Sequence, residues 1–201
     1  MPKVVDHEKR RLELGAAAFR VITRRGTLDI SMTEIAKEAG WSRGALEHYV
    51  KSRNDLYELI YNHHVTITKA RFDRTLAKYK GIEAFRQIMH GALIRDGRPL
   101  TVWTIWFGFG ERAKTNPLCR RLIHQRVTGA RKIYAQILQK AQEMGEISPD
   151  INVKRMAQSM LALIDGISTQ VYMCQEKISL KEQLAMADDW IDAMLKPKKK
   201  A

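Results

Sequence analysis

The sequence predicts an all-α protein in which an N-terminal three-helix domain is joined to a C-terminal helical bundle, with about nine helices in total. Apolar residues recur at helical spacing through nearly every segment. No run shows the sustained apolar–polar alternation, closed by a tight turn, that predicts a hairpin. The breaks between segments fall at Pro99, Pro117 and Pro149, and at Gly81, Gly97 and Gly145.

The first helix is predicted to follow Asp6, which can cap it, and to end at Gly26. Its apolar positions are three or four residues apart and therefore share one helical face. They are Leu12, Ala16, Phe19 and Ile22.

Residues 31–50, SMTEIAKEAGWSRGALEHYV, predict two short helices joined by a tight turn. Ser31 and Glu34 have the spacing of a capping box, which satisfies two backbone N–H groups at a helix start. Gly40 stands where the chain must turn sharply, because glycine accepts a positive φ. Ser42 can cap the second helix. Two short helices around a glycine turn form a helix-turn-helix motif.

The remaining chain predicts six more helices. We expect them at about 54–79, 82–96, 99–114, 117–144, 152–176 and 180–195. The domain boundary is accordingly predicted at residue 53, with 1–53 carrying the helix-turn-helix and 54–201 forming the bundle.

The second helix of such a motif lies in the major groove, where its outward side chains meet base edges. The predicted outward residues are Arg43, Gly44, Ala45, Glu47 and His48. Arg43 can donate two hydrogen bonds to guanine, and His48 can donate or accept. Glu47 can accept from a cytosine amine, but it would also repel phosphates, so both effects stay open. The alternative for the whole motif is a packing role without DNA.

Other residues of the motif are predicted to meet the phosphate backbone. Thr33 and Lys51 can position a duplex. Tyr49 can pack inward while its hydroxyl contacts a phosphate. Ser52 and Asp55 have capping spacing at the next helix, whose N-terminus would itself favour a phosphate.

The composition agrees with an anionic partner but does not locate it. The chain carries 35 Lys and Arg against 22 Asp and Glu, a net charge of +13, and a basic balance is typical of nucleic-acid binding. The longest uncharged stretch, 99–110, is too short for the roughly 20 apolar residues of a membrane span. Cys119 and Cys174 are too few for a disulfide framework, so we expect free thiols and a cytoplasmic protein.

No motif of an enzyme is present. The sequence lacks the patterns of a serine nucleophile elbow, a P-loop and a dinucleotide fold. His63 and His64 are adjacent, so they point about 100° apart on a helix and cannot easily share a metal. We therefore predict a protein that is not an enzyme and has no metal or cofactor.

Residues 33–58, TEIAKEAGWSRGALEHYVKSRNDLYE, together with the preceding AAAFRVITRRG, resemble the TetR family of transcriptional regulators. The resemblance implies a DNA contact for seven residues: Thr33, Ser42, Arg43, Gly44, His48, Tyr49 and Lys51. The chain departs from the family pattern at Glu47, where an aromatic residue is frequent, and at Val50, where Phe is frequent. The later segments VWTIWFGF and ALIDGIS are similar to the subgroup of choline-responsive betaine-synthesis repressors.

An aromatic cluster indicates a ligand pocket. Its candidate lining residues are Trp103, Trp106, Phe107, Asp165 and Tyr172. Aromatic faces attract a quaternary ammonium, and Asp165 could supply the counter-charge for a cationic or amphipathic effector. The alternative is a packed core in which Asp165 pairs with an arginine. Gly108 and Gly110 indicate either flexibility or close packing.

The resemblance also implies a homodimer through about 152–176 and 180–195, because the last two family helices form a four-helix interface. The alternative is that their apolar positions fill the core of one chain. The sequence thus predicts a homodimeric repressor that binds a pseudo-palindromic operator and is released by a small molecule. The alternative function is a basic architectural DNA-binding protein without an effector.

Overall fold

The computed structural model describes residues 7–94, 98–173 and 178–195. Within these ranges the chain forms nine α-helices and no strand, which confirms the all-α prediction. The helices are α1 His7–Arg25, α2 Met32–Ala39, α3 Arg43–Glu47, α4 Arg53–Lys78, α5 Gly81–His90, α6 Arg98–Arg112, α7 Pro117–Glu143, α8 Val153–Met173 and α9 Leu180–Leu195. Asp6, Gly97, Cys174 and the C-terminal lysines lie outside the described residues.

Two compact units divide the chain. The first comprises Met1–Ala70 and Leu100–Ile123, and the second comprises Arg71–Pro99 and His124–Ala201. This division groups residues by contact, so the functional boundary at residue 53 stays a prediction.

The core of the first unit lies between α1, α2, α3, α4 and α6. Leu14, Ile22, Leu46 and Ile60 are fully buried in it. Leu12 was expected on the same face but is 44% exposed. Leu12 has the same direction as buried Phe19, about two turns further along α1, so the core covers this face at Phe19 but not near the start of the helix.

In the second unit, side chains of α5, α7, α8 and α9 form the core. Phe85 of α5 meets Tyr134 of α7 edge-on, with ring centroids 5.9 Å apart. Burial raises the pKa of the Tyr134 hydroxyl. The N-terminus of α5 is capped by a residue distant in sequence, because the Glu146 carboxylate accepts the Ile82 N–H at 2.7 Å.

Helix α5 ends six residues earlier than the sequence pattern predicts. The Arg71 guanidinium donates to the Gly91 carbonyl, and the side chain of buried Gln183 accepts the Ile94 N–H at 3.1 Å. Partners from α4 and α9 therefore satisfy backbone groups that would otherwise continue the helix.

Five apolar residues of α8 are buried within the single chain and share one side of the helix. They are Ala157, Met160, Leu161, Ile164 and Ile167. They fill the intramolecular core, which is the alternative that the sequence left open for them. A dimer interface would use other positions of this helix.

Candidate DNA-binding surface

Helix α2 begins and ends as its sequence predicts. The Ser31 hydroxyl accepts the Glu34 N–H at 3.2 Å, and the Glu34 carboxylate accepts the Ser31 N–H at 2.9 Å. These hydrogen bonds, led by the backbone one, hold the pKa of Glu34 below its ordinary value. Gly40 ends the helix with φ 71°. The capping box and the glycine turn are confirmed.

Helix α3 follows directly and is anchored on one side. The Ser42 hydroxyl accepts the Ala45 N–H at 3.2 Å, and Leu46 is fully buried. The side chains predicted to point outward are all exposed, namely Arg43, Gly44, Ala45, Glu47 and His48. Their orientation suits entry of the helix into a groove, and their contact with DNA stays a prediction.

Arg43 and Glu47 form an ion pair along α3. The Arg43 Nε–H donates to Glu47 Oε1 at 2.7 Å, one helical turn away. Both side chains remain accessible, with 68% of the Arg43 side chain and 50% of the Glu47 side chain exposed.

The start of α1 lies beside the residues that follow α3. Arg11 donates to the Tyr49 carbonyl at 3.2 Å, and the Tyr49 ring meets Trp41 edge-on at 5.4 Å. His7 lies 5.4 Å from the Tyr49 ring and 6.3 Å from His48, measured between centroids. Local spacing could not indicate His7, because 41 residues separate it from His48.

The predicted phosphate-positioning residues Thr33 and Lys51 are exposed. At the start of α4, the Asp55 carboxylate accepts the N–H groups of Lys51 and Ser52 at 2.9 and 3.0 Å. The Ser52 hydroxyl accepts the Asp55 N–H in return at 3.1 Å. The predicted cap is confirmed, but its carboxylate takes N–H groups that a phosphate would otherwise use.

A shallow depression of about 450 Å³ lies between α3 and the start of α4. Its lining combines charged and apolar side chains: Met32, Arg43, Glu47, Val50, Lys51, Ser52, Arg53 and Leu56. Three cations and one anion therefore border a single concave surface, which is suited to a polyanion.

Ion pairs fix the helices behind this surface. Glu38 of α2 accepts from Arg20 and Arg24 of α1 at 2.7 and 2.8 Å, and these bonds hold its pKa below the ordinary value. Asp29, in the loop before α2, accepts from Arg53 of α4 at 3.1 Å and from Arg112 of α6 at 2.5 Å. The loop is thus tied to two later helices.

The predicted aromatic residues of α6 lie in the first unit. Trp103 and Trp106 are buried and Phe107 is half-buried. The Trp103 and Phe107 ring centroids are 5.8 Å apart. His64 approaches Trp106 edge-on at 4.9 Å; the sequence considered His64 only as a metal ligand and did not indicate this contact.

Asp165 and Tyr172 belong to the second unit. The Arg126 guanidinium donates to both Asp165 oxygens, at 2.6 and 3.2 Å. Asp165 therefore already has an arginine partner, as the alternative proposed. Tyr172 is half-buried on α8. The pocket itself stays a prediction.

The described residues also bear on whether the chain has a metal site, a reactive thiol or a membrane span. Within 7–94, 98–173 and 178–195, no three His, Cys, Asp or Glu residues are grouped so that they could hold a metal ion. Cys119 is buried, and burial raises the pKa of its thiol. Among the helices of the described ranges, none has the length and apolar character needed to cross a membrane.

Comparison with known proteins agrees with this geometry. Residues 14–60 match the family model described as bacterial regulatory proteins, tetR family. Residues 81–196 match the model described as BetI-type transcriptional repressor, C-terminal. HTH-type transcriptional regulator BetI of Rhizobium meliloti (strain 1021) is 32% identical over 202 residues, covering 98% of this chain and 94% of the relative.

Solved structures share the fold. A transcriptional regulator from Saccharomonospora viridis in complex with choline aligns with a TM-score of 0.76 and 23% identity, covering 92% of this chain and 96% of that one. A TetR transcription regulator from Haloarcula marismortui ATCC 43049 aligns with a TM-score of 0.76 and 19% identity, covering 94% of this chain and all of that one, 100%.

An exposed recognition helix, a buried anchor and these sequence matches define a DNA-binding transcriptional regulator rather than an enzyme. The chain belongs to the TetR family of bacterial regulatory proteins and has a C-terminal domain of the BetI-type repressors.

Proposed function

We propose that the chain acts as a homodimeric repressor that leaves its operator when a small molecule binds. The observation that carries this proposal is the exposed row on α3 above fully buried Leu46. Arg43 and His48 contact base edges in the major groove, while Thr33, Tyr49 and Lys51 hold the phosphate backbone. Residues 1–53 carry this contact, and residues 54–201 carry ligand sensing and dimerisation.

Two copies are needed because one five-residue helix contacts few base pairs. A two-fold dimer doubles the site and makes the operator pseudo-palindromic. Surface positions of α8 and α9 support this arrangement, since Ala162 and Met186 are exposed while their apolar neighbours fill the core. Small and flexible side chains on an open helix face allow close approach of a second copy.

A cationic or amphipathic effector fits the aromatic side chains of α6. Trp103, Trp106 and Phe107 can hold a quaternary ammonium by cation–π attraction. The Saccharomonospora viridis regulator was solved with choline, which makes choline the first compound to test. The aromatic faces supply the attraction by themselves, since Asp165 belongs to the other unit and pairs there with Arg126.

Release follows if the effector prefers a conformation in which the two recognition helices are misplaced for adjacent grooves. Asp29 supports such coupling, since it ties the loop before α2 to α4 and α6. A shift of either helix would therefore move the helix-turn-helix motif.

The direct test is a footprint on DNA flanking the gene of this protein, with and without choline. We expect protection of a two-fold symmetric site that choline weakens. Protection that choline leaves unchanged would exclude choline as the effector. Salt-sensitive binding without preference for any sequence would instead favour the architectural alternative, to which the net charge of +13 is suited.

A further inference from the structure

The exposed face of α3 carries one feature that DNA binding alone does not require. Glu47 places a carboxylate beside the three cations that border the depression next to α3, and this carboxylate accepts the Arg43 Nε–H at 2.7 Å. A negative charge near phosphates opposes every duplex, whatever its sequence. Any sequence preference that Glu47 supports must therefore come from its other interaction, the hydrogen bond from Arg43.

The geometry of the pair supports such a preference. Arg43 uses its Nε–H for Glu47 Oε1. A guanidinium has five N–H donors in a fixed fork, so four remain on Nη1 and Nη2. The outer edge of the fork is the one that can donate in parallel to guanine O6 and N7. Glu47 thus restrains the side chain without occupying the donors that guanine would accept.

Restraint matters because a long side chain loses rotamer freedom when it binds. An exposed arginine sacrifices conformational entropy on docking to a base. A partner that already limits its rotamers reduces this cost and favours one direction of the fork. Both residues belong to α3, one helical turn apart, so the restraint moves with the helix as it enters the groove.

We propose that Glu47 is a positioning residue that determines specificity: it orients Arg43 towards guanine, while its charge lowers affinity for every duplex. The inference rests on the proposed function, because it requires that α3 enter the major groove. Discrimination then comes from the hydrogen bond to Arg43, because repulsion from phosphates weakens binding to all duplexes alike and cancels in the ratio of two affinities.

Two substitutions separate these effects. Glu47→Gln removes the charge but keeps an oxygen that can accept from Arg43 Nε–H. Glu47→Ala removes both. The matched control is Glu143→Gln, which removes the same charge from an exposed position on α7. Thermal unfolding of each variant verifies that the fold is retained.

The probes are a duplex that the unmodified chain enriches from a randomised pool and a random duplex of equal length. We expect both Glu47 variants to bind the random duplex more tightly than the unmodified chain does. Glu47→Ala should reduce the ratio of the two affinities about tenfold, the discrimination expected of one arginine–guanine contact. Glu47→Gln should reduce it less, and Glu47→Ala in an Arg43→Ala background should have no further effect on preference for guanine.

Several outcomes overturn the inference. If the unmodified chain enriches a sequence, but Glu47→Ala and Glu143→Gln have the same ratio of affinities for the enriched and the random duplex, Glu47 does not determine specificity. The proposed function would still stand. If Glu47→Ala and Glu47→Gln lower the ratio of affinities equally, the oxygen that accepts from Arg43 has no effect and Glu47 is not a positioning residue. If the unmodified chain enriches no sequence, the proposed function fails and this inference fails with it.

Discussion

Arg43 and Lys51 are two exposed cations on one surface, and we expect them to contribute differently to DNA binding. Arg43 lies on α3, where its fork can reach base edges, whereas Lys51 lies in the turn before α4 and carries a point charge. We expect Arg43→Ala to cost ~1–3 kcal/mol on the preferred duplex and to relax base preference. Lys51→Ala should weaken all duplexes alike. Competition gel shifts on preferred and random DNA measure both, and equal losses on the two duplexes for both variants would contradict this division.

Packing between elements sets a second kind of constraint, seen where α1 crosses α4. A Cβ added to Gly15 would lie 2.8 Å from His63 Cβ and 3.2 Å from the Leu59 carbonyl oxygen. We expect Gly15→Ala to lower the free energy of unfolding by ~1–3 kcal/mol, as overpacking does. The control is Gly110→Ala on α6, where nothing lies within 4 Å of the added atom. Equal urea denaturation midpoints for the two variants would disprove the close approach.

Ion pairs connect helices α5 and α9. Arg86 donates to Asp188 and Asp192 at 2.5 Å each, and His90 lies 2.7 Å from the same Asp188 oxygen. Burial opposes ionisation of Asp188, but the hydrogen bonds from Arg86 and His90 hold its pKa below the ordinary value of 3.8. A carboxyl with a lowered pKa stabilises the folded state above its ordinary value and loses that contribution as the pH falls through the lowered one.

Asp188→Asn should therefore lower the free energy of unfolding by about 1–3 kcal/mol at neutral pH. The difference from the unmodified chain should shrink as the pH falls below 3.8. Urea denaturation at neutral pH and below pH 3.8 measures this difference in the free energy of unfolding. The control is Asp189→Asn, a substitution at the exposed neighbouring position. A difference that stays constant with pH would mean that the carboxylate charge is irrelevant to this contact.

At the scale of the whole molecule, assembly decides whether two recognition helices can meet one operator. We expect sedimentation to give about twice the chain mass of 23.2 kDa. Met186→Glu should shift the mass towards one copy, because it places a charge on the proposed α9 interface. Met144→Glu, at an exposed position just after α7, is the control. A measured mass of about 23.2 kDa for the unmodified chain would disprove the predicted dimer.

Features whose partners are close in the chain can be read from the amino-acid sequence alone. The capping box of Ser31 and Glu34, the Gly40 turn and the exposed face of α3 each depend on residues within about four positions. Helix periodicity places these groups without help from the rest of the protein, so the motif could be predicted from 20 consecutive residues.

Partners that are distant in sequence are known only from the folded chain. It placed Arg126 on Asp165, His7 beside Tyr49, and Arg71 at the Gly91 carbonyl where α5 ends. The fold also shows which α6 glycine is closely packed. A Cβ on Gly108 would lie 2.8 Å from Leu28, whereas one on Gly110 would have nothing within 4 Å. Such pairings depend on which helix faces pack together, and packing is a property of the assembled core rather than of any local spacing.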